Sequence, residues 1–246
     1  MGPASASVIV LAGGAGTRIR HLHPGVPKPL IPVAGHPFLH WICRYWAAQG
    51  VARIIVSAGY RADAVERYLA GNAWPGMQID AVTEEQPLGT GGGARAAAAS
   101  HLAGDPLVIV NGDSLVFADI SGVWPLLERE RTDGVLLGVE MPDAGRFGSL
   151  DIDAEGRLLG FREKRPGRGV VNAGVYFFKK RLLSQFPDRV PLSMEFDVFP
   201  ALIAAGARFQ VHLTAGEFLD IGTPESLAAA GAFIVRHMAE LAGAKA

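Results

Sequence analysis

Val8-Ile9-Val10-Leu11-Ala12-Gly13-Gly14-Ala15-Gly16-Thr17-Arg18 is the stretch that decides the fold. Its first five residues are an apolar run, which reads as the opening strand of a sheet. The glycines that follow let backbone amides turn inward around an anion with no side chain in the way. Arg18, and Lys28 within Pro27-Lys28-Pro29, bring two fixed cations to the same loop. Together these parts describe a site for a polyphosphate.

Spacing excludes two common phosphate motifs. A Walker loop ends in Gly-Lys-Ser or Gly-Lys-Thr, and no such pair follows these glycines. A dinucleotide fingerprint needs a third glycine where Ile19 stands, and it opens a helix. Here His21 to Pro32 holds Pro24, Pro27, Pro29 and Pro32 and cannot be an α-helix.

The 246 residues suffice for one large α/β domain, residues 1–246. With 49% hydrophobic and 19% charged residues the chain is globular rather than disordered. A net charge of −1 without blocks of like charge argues against a nucleic-acid partner. The lone Cys43 has no internal partner and sits in an apolar helical pattern, so it reads as core rather than nucleophile. No apolar run is long enough for a membrane span, and the N-terminus lacks the positive region of a signal peptide. A cytoplasmic protein with no membrane partner is expected.

Strand and helix patterns alternate through residues 1–133. A helix over Pro37–Gln49 is followed by a strand over Arg53–Ala58 and a helix over Ala62–Leu69. Then come a strand over Gln78–Thr83, a helix over Ala94–Leu102 and a strand over Pro106–Val110. This order implies a mostly parallel sheet with helices on both faces, a Rossmann-like α/β architecture. Residues 134–246 differ. Strands over Gly134–Glu140 and Val170–Phe178 flank a hairpin of Ser149–Asp153 with Arg157–Glu163, and helices near Glu195–Ala205 and Pro224–Ala239 follow. This half is antiparallel and completes the pocket.

Asp113, in Asn111-Gly112-Asp113, ends a buried strand, where open α/β sheets place ligands. Taken alone it serves equally as a turn cap or as a ligand for a hard cation. Asp220, in Phe218-Leu219-Asp220-Ile221-Gly222-Thr223, supplies a second strand-end carboxylate and tips the reading toward a Mg²⁺ pair. Thr83 to Gly92 is glycine-rich, which would let a base and ribose approach the backbone closely. Glu163-Lys164 sets an acceptor for hydroxyls beside a cation for a phosphate, or is a surface ion pair. His21-x-His23 lies on the proline-rich loop and reads as solvated.

Together these segments resemble the nucleotidyltransferases that make nucleotide sugars from a nucleoside triphosphate and a sugar 1-phosphate. The resemblance runs from Val8 to Glu225 and rests on the full ordered set, including Pro-Leu-Gly-Thr and Asn172-Ala173-Gly174. It implies a GT-A-like fold and Mg²⁺ on Asp113 and Asp220. It assigns Arg18 to the leaving pyrophosphate and Lys28 to phosphate oxygens at the reacting centre. The nucleotide side takes Leu11, Ala12, Gly13, Gly14, Gly16, Thr17, Glu84, Pro87, Gly89, Thr90 and Gly112. The sugar-phosphate side takes Gly148, Glu163, Lys164, Asn172 and Gly174. The partners implied are small molecules, and a homo-oligomer is compatible with them. A glycosyltransferase of the same fold would show Asp-x-Asp, and Asn111 replaces its first Asp. A non-catalytic sensor would be expected to lose one of the charged residues, and all are present.

Glu84 bears on the base. A carboxylate offers only acceptors, and guanine presents two adjacent donors, so Glu84 favours GTP. If Glu84 faces solvent, Glu85 or backbone groups read the base instead. Within the family the chain most resembles the D-glycero-D-manno-heptose 1-phosphate guanylyltransferases, through Gly-Thr-Arg-Ile-Arg and Met194-Glu195-Phe196-Asp197-Val198-Phe199-Pro200. Arg20 there either adds a cation near the phosphates or only replaces a loop proline. Glu195 and Asp197 either reach the sugar or start a helix. The assignment of Lys164 predicts that Lys164→Ala weakens sugar-phosphate binding more than triphosphate binding. Separate titrations check this, and equal losses would mean that the two phosphate sites are wrongly divided.

Overall fold

The computed structural model describes residues 2–100, 103–162 and 166–242. Strand β1 (Ser7–Ala12) opens the chain, as its apolar run requires. The loop after it stays free of α-helix up to a single 3₁₀ turn at Lys28–Leu30. A minimal hairpin, β2 (Pro32–Val33) and β3 (His36–Pro37), leads into α1 (Phe38–Ala48). There follow β4 (Arg53–Ala58), α2 (Ala62–Ala70), β5 (Gln78–Thr83), α3 (Gly89–Ala98) and β6 (Leu107–Asn111). Next are β7 (Ser114–Phe117), α4 (Val123–Glu128), β8 (Gly134–Met141), β9 (Ser149–Ile152), β10 (Leu158–Arg162) and β11 (Gly169–Phe178). The chain ends through α5 (Phe199–Ala204), β12 (Phe209–Thr214), β13 (Glu217–Asp220), α6 (Pro224–Arg236) and α7 (Met238–Ala242).

Nine strands form one mixed sheet. β6, β1, β4 and β5 are mutually parallel, so the carboxyl ends of all four open on one edge. β11 joins this parallel block to the antiparallel part. It pairs with β6 and β9 on one edge and with β8 on the other, and β12 runs parallel to β8 outside it. β1 alternates between two cores. Val8 and Val10 face the side covered by α1 and α6, and Ile9 faces the side of α3 and α5. Being apolar on both faces is what a parallel strand buried between two helical layers demands. Cys43 lies fully buried in α1, where burial pushes its thiol up to about 12; it is core, not nucleophile. No helix among the described residues is long and apolar enough to cross a membrane.

Three helices differ from the sequence expectation. α3 begins at Gly89, five residues before the expected start, because its glycine-rich first turns fit under Leu192 and Val198. A Cβ at Gly91 would lie 2.7 Å from Val198 Cγ2, and the Gly91 amide donates to the Leu192 carbonyl at 2.7 Å. Tertiary packing thus overrides the low helix propensity of glycine. The expected end of this helix, Leu102, lies outside the described residues. The helix expected from Glu195 opens instead as a π-turn over Met194–Val198, a geometry frequent at functional sites. The final helix breaks at His237 rather than running to Ala239. β7, β12 and α4 have no counterpart in the sequence expectation; β7 and α4 are only four and six residues long.

Phe199 anchors the second core. It is fully buried, with ring centroids 5.0–5.3 Å from Phe161, Tyr176, Phe178 and Phe209. Phe199→Ala should lower the free energy of unfolding by about 3–5 kcal/mol. Urea denaturation reads this directly, and a loss below about 1 kcal/mol would show that this cluster does not hold the half together.

Candidate active site

Two adjoining cavities open along the carboxyl edge of the parallel strands. The larger, about 750 Å³, is lined by the whole loop from Leu11 to Ile19. Lys28, Glu84, Glu85, Pro87, Gly89, Thr90, Gly112 and Asp113 are among its other lining residues, together with Tyr60 and Asn111. Every nucleotide-side residue singled out in the sequence lines this space. The smaller cavity, about 490 Å³, is lined by Gly148, Arg146, Phe147, Phe218, Asp220 and Thr223. Arg18, Asn111 and Asp113 line both, so the two spaces meet at those three side chains.

Local pairing brings the two carboxylates to that junction. β13 runs antiparallel to β7 with Asp220 opposite Ser114, and the Ile221 amide donates to the Asp113 carbonyl at 2.9 Å. Asp220 Oδ1 accepts from the Gly222 amide at 2.9 Å. A Cβ added at Gly222 would lie 2.8 Å from Asp220 Oδ1 and 3.1 Å from Arg18 Nη2, which puts that guanidinium close to the carboxylate. Lys28 Nζ donates to Asp113 Oδ2 at 2.6 Å, in a pair whose side chains are 11% and 33% exposed. Two cations and two carboxylates therefore share one small region. No cluster of three or more metal-ligating side chains occurs among the described residues. A two-carboxylate set still fits Mg²⁺, which commonly takes one or two protein carboxylates and fills its shell with phosphate oxygens and water.

Glu84 is held firmly at the wall of the larger cavity. Its Oε1 accepts from the Ser57 hydroxyl at 2.7 Å, and its Oε2 accepts from the Leu88 amide at 3.3 Å. The carboxylate sits directly on Gly13, where a Cβ would come within 2.4 Å of Oε1. Only glycine permits that approach. A carboxylate oxygen accepts two hydrogen bonds, so each retains one site for a further donor.

In the antiparallel half, the register of β11 against β8 shifts between Asn172 and Tyr176. Gly174 sits there with φ +68°, and a Cβ on it would stand 2.4 Å from Asn111 Nδ2. Such bulges re-aim side chains next to active sites. Asn172 is turned onto a buried network instead of directly into either of the two cavities. Its Nδ2 donates to the Tyr176 hydroxyl at 2.8 Å, and its Oδ1 accepts from the Gly174 amide at 3.0 Å. The Tyr176 hydroxyl donates to Glu195 Oε1 at 2.8 Å, and Ser193 Oγ donates to Glu195 Oε2 at 3.1 Å. Thr90 Oγ1 accepts from the Met194 amide at 2.8 Å and lies 3.5 Å from Glu195 Oε2. Burial, with Glu195 second, holds the Tyr176 phenol well above its usual range, so it remains a donor.

Glu195 is thus a network centre. Asp197 accepts from the Ser193 amide at 2.8 Å and from Arg189 at 3.0 Å, so it closes the π-turn. The glycines of Gly89–Gly92 chiefly admit Leu192 and Val198 rather than a base, while Gly89 and Thr90 still face the cavity. Glu163 and Lys164 lie outside the described residues. Tyr60, Ser57, Arg146 and Thr223 were not singled out from the sequence. Tyr60 follows the expected strand Arg53–Ala58, and the rule that ligands sit at carboxyl strand ends could have found it.

Residues 7–237 match the family described as nucleotidyl transferase. The chain belongs to that family. It is 37% identical over 234 residues to a mannose-1-phosphate guanylyltransferase of Mycobacterium tuberculosis, covering 94% of this chain. It spans only 65% of that relative's length. It is 32% identical over 218 residues to a D-glycero-alpha-D-manno-heptose 1-phosphate guanylyltransferase of Aneurinibacillus thermoaerophilus, covering 88% of this chain and 93% of that one. Its fold superposes on HddC from Yersinia pseudotuberculosis complexed with GMP-PN, with a TM-score of 0.79 and 31% identity. That match covers 93% of this chain and 99% of HddC.

The network predicts a stability cost. Tyr176→Phe removes the hydroxyl that joins Asn172 to Glu195 and leaves both polar groups a partner short. Unfolding in urea should show a loss of about 1–3 kcal/mol. An unchanged midpoint would mean that water replaces the hydroxyl without cost.

Proposed function

We propose that the chain transfers GMP from GTP to a sugar 1-phosphate, with D-glycero-D-manno-heptose 1-phosphate as acceptor, and releases pyrophosphate. The observation that carries this reading is the pair of cavities meeting at Arg18, Asn111 and Asp113. One is sized and lined for a nucleotide, and the other can present a second phosphate to the same point.

The larger cavity would take the triphosphate along Gly13 to Arg18, with the base at Glu84. The two free acceptor sites on the Glu84 carboxylate match the N1–H and 2-amino donors of guanine. The smaller cavity would take the acceptor beside Gly148, and the family resemblance assigns Glu163 and Lys164 to the sugar and its phosphate. An oxygen of the sugar phosphate is already anionic and needs no protein base. It bonds to the α-phosphorus from one side, the bond from that phosphorus to the bridging oxygen breaks on the other, and pyrophosphate leaves with the electron pair. Arg18 would hold that leaving group, and Lys28 would neutralise charge on the oxygens at the reacting phosphorus. A Mg²⁺ ion on Asp113 and Asp220 would supply further neutralisation when bound. The absence of a nucleophile from this scheme agrees with a site built from positioning groups and charge.

Mannose 1-phosphate is the second acceptor to weigh, because the Mycobacterium tuberculosis relative is 37% identical. Both acceptors share the manno configuration and differ by one terminal carbon. Pyrophosphate release from GTP, ATP, UTP and dTTP with each acceptor tests the reading. GTP with the heptose phosphate should turn over fastest. Glu84→Gln should lower kcat/KM for GTP roughly ten- to a hundred-fold and narrow its margin over UTP and dTTP. No release from any pairing would overturn the activity. An unchanged nucleotide ranking in the variant would move base reading to Glu85 or the backbone.

A further inference from the structure

Gly59 and Tyr60 follow β4 and press against the phosphate loop. A Cβ at Gly59 would lie 2.7 Å from the Gly13 carbonyl oxygen, and the Tyr60 amide donates to that same oxygen at 3.3 Å. Tyr60 lines the larger cavity. Arg20 does not line it, and its guanidinium is spent on Tyr60 instead. Its Cζ lies 4.5 Å from the ring centroid, and Nη2 donates to the phenolic oxygen at 2.9 Å. The hydroxyl and one side of the ring are thereby engaged. What Tyr60 has left to offer a ligand is the rest of its aromatic surface. Glu84 meets the same glycine, so the Tyr60 backbone and the Glu84 carboxylate both lie against Gly13, and both residues line the same cavity.

We propose that Tyr60 is the aromatic wall against which the nucleotide base packs, and that Arg20 is a positioning residue that fixes this ring. The inference rests on Glu84 as the reader of the base edge. Tyr60 is the one aromatic residue among the described residues lining the cavity that Glu84 also lines, so a purine presenting that edge to Glu84 would have the Tyr60 ring as the aromatic surface within the same space. The cation on the ring holds the phenol in one orientation, so the wall is formed before the nucleotide arrives. Arg20 therefore acts through Tyr60 and not through the phosphates.

Calorimetric titration of the whole chain with GTP, UTP and inorganic tripolyphosphate, each with Mg²⁺, separates base contacts from phosphate contacts. Tyr60→Ala should raise the Kd for GTP about ten-fold, in line with base–aromatic stacking elsewhere. UTP should lose less, and tripolyphosphate should stay within about two-fold. Tyr60→Phe, which keeps the ring, should bind GTP within about three-fold of the wild type. Arg20→Met should weaken GTP by a smaller factor than Tyr60→Ala and leave tripolyphosphate unchanged. Should Tyr60→Ala fail to fold, Tyr60→Leu keeps the bulk without the ring and carries the same expectation. Equal losses for GTP and tripolyphosphate would overturn the inference and make Tyr60 a strut for the loop. Unchanged GTP binding in Tyr60→Ala would overturn it as well. Wild-type affinity equal for GTP and UTP would count against Glu84 alone, and Tyr60→Ala would still be expected to lose both nucleotides relative to tripolyphosphate.

Discussion

The contact between the Glu84 carboxylate and the backbone of Gly13 ties together most of what surrounds the larger cavity. Glu84 directly follows β5, and its amide donates to the Ala58 carbonyl at the end of β4 at 2.7 Å. Its carboxylate takes the Ser57 hydroxyl from β4 and the Leu88 amide from the approach to α3. It also lies so near Gly93, in α3, that a Cβ there would stand 2.9 Å from Oε1. A single partly buried carboxylate thus fixes the ends of β1, β4 and β5 and the start of α3 against one another. A charge held among glycines is tolerable because hydrogen bonds meet it on both oxygens. Its remaining acceptor sites then have a defined direction, which a solvated glutamate would lack.

The same logic governs the other half. β11 is the longest strand and pairs along both edges. The glycine at its bulge, Gly174, is what lets the Asn111 side chain approach the strand, since a Cβ there would stand 2.4 Å from Asn111 Nδ2. From there the network through Tyr176 reaches Glu195 and, past it, Thr90 in the wall of the nucleotide cavity. The π-turn at Met194–Val198 is the cost of presenting Glu195 inward while Asp197 closes the turn on Ser193. β11 and α3 are therefore joined through Glu195 by polar contacts as well as by packing. A substitution on one side has a physical route to the other.

How far the sequence discloses this varies by residue. β1 and β4 are legible because each is a short apolar run bounded by turn residues. The glycine loop, Lys28 and Asp113 stand out in the sequence as residue types that phosphate chemistry favours, and the fold brings them to one cavity. Asp220 could be assigned from its place at a strand end, but its pairing with β7 could not, since β7 is only four residues long. The start of α3 was misjudged because glycine disfavours helix locally, and only contact with Leu192 and Val198 reverses that. Glu195 and Arg20 each had two readings from sequence. In the structure they meet Tyr176 and Tyr60, partners 19 and 40 residues away. Contacts of that separation leave no periodic trace.

Charge at the junction of the cavities carries the last step. Lys28 is already paired with Asp113, and Arg18 lies beside Asp220. Counted over these four side chains, the junction is neutral. A triphosphate and a sugar phosphate would add several negative charges to a partly enclosed space, where uncompensated charge is costly. The four side chains alone cannot offset that, and a divalent cation held by the two carboxylates would. Lys28 need not abandon Asp113 in the process. An ammonium has three donors, and the aspartate contact uses one. The lysine can keep its carboxylate oriented while its other donors meet phosphate oxygens. The ion pair then works as a preset scaffold for charge rather than as a lock that substrate must break.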